Sequence, residues 1–145
     1  MALSRSRAVA LIVALALAFG SSAVLARTDA RTSIATLTVV DGPVLIRHGG
    51  ADFSPARQGD MVVTGATIRA GAGASAEITY FEGSSARIES DAEIVVVSLG
   101  ARADGGPLIG IVQTIGRTWH VVTELVSGTT RYDVRTPTST ATVRG

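Results

Sequence analysis

An all-β domain, a single sandwich of jelly-roll-like or β-roll form behind an N-terminal signal helix, is what this sequence predicts. Three observations point to it. Residues 27–145 hold 9 Ile, 14 Val and 16 Thr against only five Leu, and β-branched side chains lose rotamer freedom in helices but pack well on a pleated surface. Short runs alternate polar and apolar residues, and no window carries a sustained helical apolar stripe. Glycine and proline punctuate those runs, with Pro43, Pro55, Pro107 and Pro137 expected between strands, where a missing N–H does no harm.

The strands follow in order. Ala35, Leu37 and Val39 should face one side, with Thr36 and Thr38 on the other. Asp41-Gly42-Pro43 turns the chain into Val44, Ile46 and His48. A polar loop, 49–60, precedes Met61–Thr64 and Ala66–Ala70; after the glycine-rich stretch 71–73, Ala76, Ile78 and Tyr80 alternate with Glu77, Thr79 and Phe81. Glu82-Gly83 reads as a hairpin turn into Ala86 and Ile88. Ile94–Val97 is continuously apolar, as a strand buried on both faces would be. Ile109–Ile115 and Thr118–Thr123 follow, with Trp119 expected as a core anchor and Glu124–Gly128 as a short connection. Tyr132 and Val134 alternate with Asp133 and Arg135, and Thr136-Pro137 turns into a terminal strand, Thr138–Val143.

The first 26 residues read as an export signal. Arg5 and Arg7 precede the uncharged stretch Ala8–Ala26, and Val24-Leu25-Ala26 offers a small residue for cleavage after Ala26. An uncleaved anchor is the other reading of the same 19 residues, and it is the only membrane contact expected. Either way residues 27–34 are a short linker, and the domain 35–145 lies in the periplasm or is secreted. Without residues 1–26 the chain has eleven Arg against twelve acids, a net charge of −1, and no basic run, so a nucleic-acid partner has no electrostatic footprint. With no cysteine, a domain in an oxidising compartment stands on its apolar core alone.

No constellation for catalysis, cofactor or metal emerges. His48 and His120 lack a third ligand at metal spacing and read as structural or solvent-exposed. No Gly-x-Ser-x-Gly elbow is present. The "GAGAS" of 71–75 leads into a strand rather than the helix a phosphate site needs.

The stretch "GDMVVTGATIRAGAGASAEITYFEGSSARI" resembles the central segment of the FecR domain, the extracytoplasmic module of iron-dicitrate-type sensors. Gly59-Asp60, Thr64-Gly65 and Gly83-Ser84 carry the pattern, "VVDGPVLIR" is similar to the family's first hairpin, and Thr136-Pro137 with Val143-Arg144-Gly145 is similar to its close. The resemblance covers about residues 35–145. It implies a non-enzymatic sensing or protein-binding module in envelope signalling, with another envelope protein as partner. It also implies one more strand after Gly145, so that 35–145 reads as C-terminally incomplete. Only seven residues precede the apolar run, which leaves no segment for the family's cytoplasmic anti-sigma region. On physical grounds the signature residues make turns rather than chemistry. The candidate binding edge is Thr138, Ser139, Thr140, Ala141, Thr142 and Val143, whose expected neighbour strand is missing. An envelope structural or polysaccharide-binding protein without a signalling role is the alternative.

Overall fold

The computed structural model describes residues 33–123 and 130–144. The signal segment, most of the linker, the connection 124–128 and Gly145 lie outside the described residues.

Two β-sheets pack face to face. One has five strands in the order β10-β7-β6-β1-β4, and the other has seven, β12-β11-β9-β8-β5-β2-β3. In chain order these are β1 (Ala35–Asp41), β2 (Val44–His48), β3 (Ser54–Pro55), β4 (Met61–Val62), β5 (Ala66–Ala70), β6 (Ser75–Thr79), β7 (Ser85–Ile88), β8 (Glu93–Ala101), β9 (Pro107–Ile115), β10 (Thr118–Val121), β11 (Arg131–Arg135) and β12 (Thr140–Arg144). All pairings are antiparallel except β9 with β11. The result is a sandwich, as two half-buried alternating surfaces require.

The chain repeatedly changes sheets. β1 lies in the five-stranded sheet and β2 in the seven-stranded one, so Asp41-Gly42-Pro43 turns a corner rather than closing a two-stranded ladder. Thr64-Gly65 makes the same crossing from β4 to β5. There the Gly65 backbone takes a φ of 87° and donates its N–H to Val96 O at 2.7 Å. A residue with a Cβ resists that conformation.

The core lies between the sheets. Leu37, Val62 and Ile78 meet Ile68, Ile94, Val96, Ile109 and Ile111 with essentially no exposure, each burial being worth about 2 kcal/mol. Where strands face as the alternation reads, the reason is the period of two.

Departures have local causes. A bulge at Thr38 shifts the β1–β6 register between Leu37 and Val39, so Val39 is exposed while Val40 packs against the core. On β8 the alternation itself holds: Ile94 and Val96 are buried, Val95 is half-buried and Val97 is exposed. Ile94–Val97 is therefore buried on one face, not two. Pro55 ends the edge strand β3 and Pro107 starts β9 rather than lying between strands, two positions where a strand tolerates the missing donor.

Trp119 is not a core anchor: it is 60% exposed. Its register partner is Arg87, whereas His120 is opposite the fully buried Ala86, so the inward position on β10 belongs to the histidine. The indole donates to Glu89 Oε1 at 2.7 Å on the outer surface. As the chain's single tryptophan, it gives a clean reporter. Native emission is expected to be red-shifted, freely quenched by acrylamide and little changed on unfolding. Blue-shifted, protected emission would put the ring back in the core.

Candidate partner-binding edge

The residues of the sequence signature sit at turns and corners. Gly59 takes a φ of 93° and donates its N–H to Leu37 O at 2.8 Å, while the Asp60 carboxylate accepts the Arg57 N–H at 2.8 Å. Gly83 closes the β6–β7 turn, donating to Tyr80 O at 3.0 Å. Ser84 is fully buried, and its Oγ accepts the Thr123 N–H at 2.9 Å, tying the segment after β10 to that turn. Thr136 Oγ1 accepts the Ser139 N–H at 3.0 Å, and Thr136 N–H donates to Ser139 O at 2.8 Å, so Thr136-Pro137-Thr138-Ser139 forms the β11–β12 turn. Arg144 ends β12. Every one of these contacts shapes backbone.

Two of the six residues expected at the binding edge, Thr138 and Ser139, thus belong to the turn; the strand itself is Thr140–Arg144. β12 is the outermost strand of the seven-stranded sheet, and all five of its residues are exposed. Its register on β11 sets Arg131 opposite Arg144, Tyr132 opposite Val143, Asp133 opposite Thr142, Val134 opposite Ala141 and Arg135 opposite Thr140. Among the described residues nothing pairs with its other side. Alternate residues of an antiparallel edge strand point both N–H and C=O away from the ladder, which leaves hydrogen-bonding groups open to a further strand.

Beneath this hairpin lies a polar chain that sequence reading misses. Thr118 Oγ1 donates to Gln113 Oε1 at 2.6 Å, so it accepts from His120 Nε2 at 2.8 Å. His120 Nδ1 then accepts from the Tyr132 hydroxyl at 2.7 Å. Gln113 Nε2 ends the chain on Gly116 O at 2.6 Å. One consistent direction of donation fixes the neutral Nε2–H tautomer of the histidine. Tyr132 also meets Tyr80 and His120 edge-on, at ring distances of 5.8 and 5.6 Å. Burial pushes the His120 imidazole down to about 4 and raises both phenols well above their ordinary value. His120 and Tyr132 sit on different sheets, twelve residues apart, and no short motif announces such a pair.

On the outer face, Asp133 is 9% exposed, and Arg131 Nε donates to its Oδ2 at 2.8 Å. Burial alone would raise this carboxyl; the nearby Thr142 hydroxyl, the hydrogen bond from Arg131 and the charges of Arg131 and Arg135 outweigh it and hold it below its ordinary value. At the far side of the sandwich, a hollow of about 480 Å³ between β3 and β4 is lined by residues including His48, Arg57, Asp60 and Met61. Its only carboxylate is already engaged by backbone. Among the described residues no group of three or more His, Asp or Glu side chains could hold a metal, and no helix is long and apolar enough to cross a membrane.

The chain matches no family model, no curated protein and no solved structure. The chemistry of the surface is therefore what bears on function, and its most distinctive part is the open strand β12 with the His120–Tyr132 pair beneath its neighbour.

Proposed function

We propose that this chain is an exported, non-enzymatic module of the FecR-domain type, which binds another envelope protein by adding a strand to β12 and serves a sensing role in the periplasm. The observation that carries the reading is the open edge: a five-residue strand, exposed on every residue and, among the described residues, paired on one side only. Strand addition draws its affinity from main-chain hydrogen bonds and its selectivity from alternate side chains. A long export-type apolar run at the N-terminus and a signature made of turn residues agree with it.

The test is a photo-crosslinking amino acid introduced in living cells, at Thr142 on the edge and separately at Arg57 on the opposite side of the sandwich. A discrete adduct from Thr142 and none from Arg57 is expected. Equal labelling from both positions, or none from either, sinks the edge reading.

One observation favours the second reading, a polysaccharide-binding envelope protein. Trp119 offers an exposed ring beside Arg87 and Glu89, an arrangement on which a sugar ring can stack. Retention on immobilised envelope polysaccharide that disappears in Trp119→Ala would support it.

A further inference from the structure

The two faces of β12 differ in chemistry, and the difference specifies what can pair with it. Ala141 and Val143 lie on the face shared with Val134 and Tyr132, toward the five-stranded sheet. Yet Val143 remains 46% exposed, so the seven-stranded sheet overhangs its partner and leaves an apolar ledge. The opposite face carries Thr140, Thr142 and Arg144 alongside Arg131, Asp133 and Arg135. Three guanidiniums thus share that face with one carboxylate. Asp133 is taken by Arg131, and neither Arg135 nor Arg144 belongs to an ion pair among the described residues. Arg131 and Arg144 are also directly opposite each other, and like charges in that relation destabilise a strand pair.

We infer that the strand added to β12 is an amphipathic segment with carboxylates on the face lying over Arg144 and Arg131 and apolar residues on the face continuing the Ala141–Val143 ledge. This rests on the edge-pairing reading above and names the partner's chemistry. Strands stand about 4.8 Å apart, so an acid opposite Arg144 reaches its guanidinium directly and offsets the Arg131–Arg144 repulsion. An apolar residue beside Val143 covers what the shorter sheet leaves bare.

A second copy of this chain paired about Thr142, the register that centres the strand, fits poorly. Two β12 strands related by a dyad at Thr142 would match Ala141 with Val143 on the apolar face. On the other face they would place Arg144 between Arg131 and the copy's Thr140, with the copy's Arg135 next in the row. Three guanidiniums would stand in one row without a carboxylate, and the dyad would repeat that row. Like-charge rows of this kind select against a partner more strongly than the apolar match favours it.

The probes are labelled hexapeptides of alternating valine and glutamate, the same peptide with lysine for glutamate, and the glutamate peptide N-methylated at every position. Each is titrated against the full chain and its Arg144→Glu variant at low salt, with fluorescence anisotropy as the readout. Binding of the glutamate peptide at least about tenfold tighter than the lysine peptide is expected, since ion pairs to the exposed guanidiniums favour the first and like-charge contacts oppose the second. Arg144→Glu should erase or reverse that preference, and N-methylation should abolish binding. Because Arg144 is exposed at a strand end, its replacement leaves the core untouched. Equal affinity for both peptides, lost on N-methylation, overturns the charge inference and leaves strand addition standing. Equal affinity that survives N-methylation overturns both. No binding of the glutamate peptide overturns the inference, and the crosslinking experiment then judges the edge reading independently. Dimerisation of the chain through β12, seen by sedimentation and lost in Thr142→Pro or Val143→Pro, overturns it as well; adjacent residues point their N–H groups in opposite directions, so one of these two prolines spares the β11 ladder.

Discussion

Tyr132→Ala is expected to cost about 4 kcal/mol of stability, the size typical of deleting a buried aromatic. Tyr132 is 1% exposed and has the largest side chain among the fully buried residues. It contacts Tyr80 and His120 across the sandwich and holds β11 against the second sheet. For a domain with about ten kcal/mol in total, that loss should lower the thermal midpoint by well over ten degrees. Tyr132→Phe keeps the ring and removes only the donor to His120 Nδ1, and should cost about 1–2 kcal/mol. The same site sets an acid limb. His120 has a folded value near 4, below the 6.5 of a free imidazole, so between those values the unfolded chain binds the proton first. The stabilisation is complete above about pH 6.5 and is lost as pH falls from there toward 4. After allowance for the partial exposure of the ring, the loss amounts to about 2 kcal/mol. His120→Gln should flatten that limb. Denaturant melts of the four proteins across pH 4–8 check all of this, and an unchanged limb in His120→Gln would assign it to other groups.

Gly116→Ala is expected to destabilise by about 3 kcal/mol. Gly116 turns the chain from β9 in one sheet to β10 in the other, with a φ of 83°. A left-handed backbone costs a residue bearing a Cβ about 1–2 kcal/mol. The added methyl would also overlap Ala92 Cα and Cβ and crowd Asp91 O, and overpacking against backbone adds a similar amount. Gly73→Ala separates the two effects: its φ is 71°, but a Cβ there meets nothing within 4 Å. Thermal melts should show Gly73→Ala losing only the conformational part, about 1 kcal/mol. Equal losses for the two variants would mean that the Ala92 contact carries no energy.

The comparison of sequence with fold turns on pairing. Alternation identifies β2, β6 and β7 with the correct faces, because Val44, Ile46, Ala76, Ile78, Ala86 and Ile88 repeat every second residue without interruption. It fails where one extra residue enters a strand. The Thr38 bulge turns Val39 outward and Val40 inward, and hydrophobicity cannot distinguish two adjacent valines. It fails again on β10, where the larger apolar side chain lies outside. The inward row of the five-stranded sheet is filled there by His120, which gains a hydrogen bond from a tyrosine on the other sheet. A preference for burying tryptophan over histidine reads single residues; the outcome is set by a partner twelve positions away. The edge strand proposed for binding is legible as a terminal alternating run, but its limits are not, since Thr138 and Ser139 are claimed by hydrogen bonds to Thr136. The cationic character of its outer face needs the β11 register, which sequence alone does not supply.

Among the described residues one ladder, β9 with β11, is parallel, and it closes late. β9 and β11 pair Ile109 with Tyr132 only after the chain has left the seven-stranded sheet, contributed β10 to the other, and returned. Closing that excursion costs more entropy than closing the hairpins β6–β7, β8–β9 and β11–β12, whose partners are near in sequence. As a chain made from its N-terminus emerges, the ladders from β1 to β9 are available first, and the β11–β12 hairpin is expected to dock onto a sandwich already assembled. An order of events follows from the wiring: the edge is displayed late, on molecules whose core has already formed, so immature chains present no finished edge.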